Sequence, residues 1–253
     1  MRPARDLSRL LNVGTGIIEY VSAGKWVIGL TGSSTVLTRL SRGLANAYLA
    51  VAEVEGQFYL RAPVLAAIND PSAVHQVAKR LCRELEDVIF ALDATSAAIS
   101  IGSVERARPD GRRDIFVFPE PIVVRATAFS PTVTVGSGPS ESPEDRALRL
   151  HLAHPELARA QRFLRGEPDW PAMYKAFELA RAAAGGKREM ATRGWATANQ
   201  QARFTHTADS LTAAGDSARH AVERTNPPKN PMTVREAQDF VIRLIRDWSN
   251  SLS

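Results

Sequence analysis

The chain has 253 residues, 44% hydrophobic and 23% charged, with 32 basic against 27 acidic side chains for a net charge of +5. That apolar fraction excludes a wholly disordered chain, and no stretch approaches the ~20 apolar residues of a membrane-spanning helix. A single cysteine, Cys82, excludes an intramolecular disulfide framework and a cysteine-based zinc site.

The first residues, from Met1 to Asp6, are charged and have no apolar segment of signal-peptide type. With the lone cysteine, this predicts a cytoplasmic protein. The basic side chains are 27 arginines and five lysines. This bias and the many alanines fit a GC-rich bacterial or phage genome. The charge excess is uneven: residues 1–143 carry 15 basic and 14 acidic side chains, residues 144–253 carry 17 and 13. No run of five like charges occurs, so the second half permits an anionic partner without showing a strong nucleic-acid footprint.

In chain order, residues 25–31 read as a short apolar strand. A helix is predicted over 34–53, with Leu37, Leu40, Leu44, Tyr48 and Val51 on one face. Gly56 interrupts it, and 57–60 reads as a short strand. Asp70 and Pro71 open a helix reaching about Leu92. Val74, Ala78, Leu81, Leu85, Val88 and Leu92 form a heptad-like seam on it. The seam predicts packing on the domain's own sheet, with a homo-oligomer through 71–92 as the other use. His75 falls on the polar side of that helix, and Cys82 beside the seam as a small core residue.

Strands are then predicted at 98–107 and 113–118, flanking a Pro109-Asp110-Gly111 turn, and at 122–129 and 132–135. Consecutive strands with short links predict an antiparallel meander. Residues 137–143 read as a linker rich in Gly, Ser and Pro. Everything beyond reads as helical, with starts near Ser142, His154 and Asp169, and with stops at Gly166 and Gly185-Gly186. Thr197–Gln200 and Thr233–Glu236 have the capping-box pattern. The Pro-rich stretch 226–231 is an extended connector, and the last helix carries Phe240, Val241, Leu244, Ile245 and Trp248 on one face. The predicted architecture is α+β: a mixed domain over 1–136 with an antiparallel sheet, then an all-helical domain over 144–253.

Two constellations have chemical potential. Gly29–Thr35 links a predicted strand to a predicted helix, and the backbone and hydroxyls of Thr31, Gly32, Ser33 and Ser34 suit a phosphate or carboxylate. It has neither the Walker A nor the dinucleotide glycine spacing. The second is the polar cluster over 203–224. On a helix over 213–224, Asp216 and His220 sit one turn apart, the arrangement that orients an imidazole as general base. His206 would be a second acid/base, and Arg203 and Arg219 would hold a phosphate. With Asp209, the two histidines and Asp216 would suit a divalent metal. No other cofactor is predicted.

Two pairs, Arg146–His151 and Arg149–His154, have the Arg-to-His spacing of the HEPN ribonucleases. Chance alone yields roughly 1.6 such pairs in this composition. Ala147 and Leu150 also stand where that family usually has a polar residue. The spacing assigns no family.

The reading with most support is a non-enzymatic binding or assembly protein, its mildly basic helical domain contacting an anionic or protein partner. A nucleic-acid-directed hydrolase, HEPN-like or metal-dependent, is the alternative built on 203–224. A nucleotide or small-anion sensor is the one built on 29–35.

Overall fold

The computed structural model describes residues 26–44, 47–108, 113–118, 141–219, 226 and 228–252. The first strand, β1 (Trp26–Gly32), is followed after a single residue by helix α1 (Ser34–Gly43). Strands β2 (Ala50–Val54) and β3 (Gln57–Arg61) form a hairpin. Its two turn residues, Glu55 and Gly56, have φ of 52° and 76°, the left-handed pair that matches the twist of a two-residue hairpin. A 3-10 turn (Pro63–Ala67) leads to the long helix α2 (Pro71–Asp93), then to β4 (Ile99–Ala107) and β5 (Arg113–Phe116). The fold is α+β, and the sheet is antiparallel throughout, in the order β2-β3-β1-β4-β5.

Helices α3 (Pro143–Ala153), α4 (Pro155–Leu164), α5 (Trp170–Ala184), α6 (Lys187–Thr192), α7 (Ala198–Asp209) and α8 (Leu211–Ala214) follow. A 3-10 turn (Gly215–Ser217) comes after them, and α9 (Val234–Asn250) closes the series. The described residues fall into two compact units, those within Met1–Glu86 and Ala97–Asp145, and those within Asp87–Ser96 and Arg146–Ser253. The strands expected over 122–129 and 132–135, the turn at 109–111 and linker residues 137–140 lie outside the described residues.

In the sheet unit, Ile28, Leu40, Leu60, Val74, Ala78, Leu81 and Leu85 are fully buried. Four of these belong to the heptad-like seam. Val88, in the helical unit, is fully buried as well and Leu92 is half-buried, so five of the six seam residues are core. The helix expected over 34–53 stops at Gly43, and 50–54 is a strand instead. Val51 pairs with Leu60 and Glu53 with Phe58. The ladder with β3 satisfies the backbone of this β-branched segment, which outweighs a helical spacing that was partly coincidental. His75 is a further correction. It is 5% exposed and stacks on Phe118, ring centroids 4.1 Å apart. Cys82 is buried, and burial pushes its thiol up to about 12, so it stays protonated.

An ion pair fastens the start of α3 within the sheet unit. Arg39 donates through Nε to Glu144 at 2.7 Å, with Glu144 buried. The Ser142 hydroxyl donates to the Gly43 carbonyl and accepts from the Asp145 backbone.

The helical unit is built around Phe204, which is fully buried. The rings of Trp170, Tyr174, Phe177 and Phe240 surround it with centroids 5.0–6.1 Å away. Asp169 caps α5, and Gly185, with φ of 96°, ends it in the left-handed conformation. Both capping boxes form at α7 and α9. In the same unit, the buried Asp87 carboxylate meets Arg162 at 2.9 Å and Arg165 at 3.4 Å.

Candidate functional site

The polar cluster of the helical unit centres on the connector before α9. Prolines at 227, 228 and 231 prevent that stretch from forming a helix or a ladder, so its carbonyls need partners from elsewhere. Helix α7 supplies them. Arg203 donates from Nε to the Asn230 carbonyl and from Nη2 to the Pro231 carbonyl, both at 3.0 Å. The same Nη2 reaches both Glu236 oxygens, at 3.1 and 3.2 Å. One turn on, His206 Nε2 donates to the Asn226 carbonyl at 2.8 Å. The fully buried Thr207 accepts from the Met232 backbone N–H at 3.0 Å and donates to the Arg203 carbonyl. The Glu236 carboxyl is held below its usual range, first by the Thr233 backbone N–H of the capping box and then by Arg203.

Arg219 has a different set of contacts. Its guanidinium lies 3.9 Å from the centroid of the Tyr174 ring, close enough for a cation–π contact. Glu178 and Asp209 each approach it at 3.6 Å, and its backbone N–H donates to the Ala208 carbonyl. Burial is the main cause that raises the Tyr174 pKa, and the Arg219 charge opposes it.

The helix expected over 213–224 is not formed in its described part. Helix α8 ends at Ala214, Gly215 takes φ of 62°, and Ala218 is extended. Asp216 sits exposed on the intervening 3-10 turn. The helical spacing that was to hold it under residue 220 is therefore absent from the described segment. His220 itself lies outside the described residues. Among the described residues no group of three or more His, Cys, Asp and Glu is placed to hold a metal ion.

The glycines of 29–35 lie largely within β1 rather than in a free loop. A Cβ on Gly29 would come within 2.6 Å of Ser103 Oγ, and one on Gly32 within 2.8 Å of the Ala98 carbonyl. Both glycines thus permit the close approach of β1 to β4. The register shift between Gly29 and Leu30 leaves Gly102 as the extra residue of a bulge. The Thr31 hydroxyl pairs with Ser100 Oγ at 3.0 Å. Ser33 is the N-cap of α1 without a side-chain cap bond, and Gly32, Ser33 and Ser34 are exposed.

Of the two Arg-to-His pairs, His151 is in the core, its Nε2 hydrogen-bonded to the buried Gln161. Burial is the main cause that lowers its pKa, to about 4, so the ring is neutral at physiological pH. His154 is the N-cap residue of α4.

One arrangement was missed in the sequence. On α4, Arg159 lies 5.9 Å from the centroid of the half-buried Phe163 ring, and Lys175 of α5 lies 5.5 Å from the same ring. Both cations are exposed, and among the described residues neither has an acidic partner. The Arg159–Phe163 spacing of four was visible, but the second cation comes from the next helix. No helix among the described residues is long and apolar enough to cross a membrane. No family model, curated protein or solved structure matches this chain.

Proposed function

We propose that this is a non-enzymatic binding or assembly protein whose helical unit contacts an anionic partner. The observation that carries this reading is the pair of exposed cations, Arg159 and Lys175, left without acidic partners on neighbouring helices. Two exposed positive charges beside one ring attract anions and hold them in a salt-dependent way. Three side chains of the 203–224 cluster fit the same direction. Arg203 and His206 hold connector carbonyls, and Arg219 holds Tyr174 and two carboxylates. A general base or phosphate clamp needs such groups directed at a substrate.

The test uses a labelled heparin oligosaccharide, followed by anisotropy across a salt series. Binding that weakens with salt, and weakens further in an Arg159→Ala/Lys175→Ala double variant, is expected. Affinity unchanged in the double variant overturns the reading. Nucleic-acid cleavage lost in His206→Ala and Asp216→Ala would instead assign the hydrolase. A co-purifying nucleotide released by altering Ser33 and Ser34 would assign the sensor.

A further inference from the structure

We infer that the α4–α5 face takes single-stranded nucleic acid, with Phe163 as the stacking surface for a base and Arg159 and Lys175 as its phosphate contacts. This rests on the anionic-partner reading above and names the partner's class.

A simple polyanion needs only the charges. It has no use for an aromatic ring between them. Here the ring is half-buried, packed against the hydrophobic core of the helical unit, with a cation reaching toward it from each of two helices. Packing holds such a ring in one orientation, so little side-chain freedom is lost when a base stacks on it. A base carries a planar π face and its own backbone carries phosphates a few ångströms away. Cations beside an aromatic platform are the elementary unit of sequence-tolerant single-strand binding. Duplex fits less well, because its bases are already stacked on each other and leave the ring nothing to stack against. Arg162 adds to the same helix a guanidinium 43% exposed, which shares the charge of Asp87 with Arg165. Within α4, Arg159 and Arg162 stand against the single carboxylate of Glu156, so the helix is net positive.

The experiment measures three probes by anisotropy over a salt series: a mixed-sequence single-stranded RNA of 12 nucleotides, the corresponding duplex DNA, and a heparin oligosaccharide. Phe163→Leu keeps an apolar side chain on the core, and Phe163→Trp keeps a stacking face. Thermal melts confirm that both variants fold. Phe163→Leu should weaken RNA binding about 5- to 10-fold, with heparin binding unchanged and Phe163→Trp close to the parent. Arg159→Ala/Lys175→Ala should weaken both RNA and heparin. It should also reduce the slope of log affinity against log salt for RNA by about 1.4, two single-strand phosphates' worth. If Phe163→Leu leaves RNA affinity unchanged, or duplex binds more tightly than the single strand, the inference fails. Heparin binding that still depends on the two cations would then leave the anionic-partner reading standing. If neither RNA nor heparin binds, both fail together.

Discussion

The sheet unit and the helical unit solve the problem of chain connection in opposite ways. In the sheet unit the backbone provides most of its own partners. Strands pair in register, a two-residue turn closes β2 on β3, and glycines let β1 and β4 approach. In the helical unit the connector before α9 is rich in proline and its described residues form no ladder, so Arg203, His206 and Thr207 bond its backbone instead. The difference explains why a dense cluster of Arg, His, Thr and Asp resembles an active site in the sequence. Side chains that replace missing backbone partners are of the same chemical types as side chains that bind substrate. Only their targets distinguish them.

The comparison breaks most sharply at Phe204. Replacing it with alanine opens a cavity at the centre of the aromatic cluster and should cost about 3–5 kcal/mol. Hydrogen exchange should show the loss in α5, α7 and α9 while the strand ladder keeps its protection. Equal loss of protection in the strands would mean that the two units do not respond separately.

The next effect is a pH dependence in the helical unit. The His151 ring is held neutral down to about 4, against an ordinary value of 6.5. As pH falls, the unfolded chain takes up this proton first. The stability is thus complete above about pH 6.5 and is lost between there and about pH 4, a change of up to about 3 kcal/mol. Melting temperature measured from pH 7 to pH 4 should fall along this range, and His151→Asn should flatten the fall. An unchanged slope in that variant would assign the acid sensitivity elsewhere.

Gly32→Ala probes the opposite strategy. Its Cβ meets the Ala98 carbonyl, a backbone atom that cannot swing away, so an overpacking cost of about 1–3 kcal/mol is expected. A denaturant midpoint equal to the parent's would show that β1 and β4 separate without cost. In the connector, Arg203→Met removes donors to two carbonyls and should cost about 1–2 kcal/mol, read as faster amide exchange at Met232 and Thr233. Smallest is Thr197→Ala at the N-terminus of α7, about 1 kcal/mol from a lost cap, measured in the same melts.

These effects divide along what was legible. The boundaries of α2, α5 and α9, both capping boxes and the stops at Gly185 and Gly166 follow from local chemistry that a sequence displays directly. Phe204 was visible as an aromatic, but not as the centre of five rings. The assignment of 50–54 to a strand was not legible, because Val51 fits a helical face as well as it fits a ladder. The break after Ala214 had a signal in Gly215, although one glycine in a polar run does not by itself decide between a helix and a turn. For His75 the sequence pattern pointed at the polar side of its helix, and only stacking on Phe118 reveals a buried imidazole.

What the sequence determined alone was local and additive: caps, stops, the apolar periodicity of the long helices, and the excess of cations in the second half. These depend on neighbours within a few residues, whose geometry is the same in any fold. The tertiary structure alone decided which partner each polar group found. Arg203 meets carbonyls 27 and 28 residues away, and Lys175 meets a ring on the preceding helix. The meaning of a charged side chain lies in what stands opposite it, and that is set by packing between elements, to which spacing along the chain is blind.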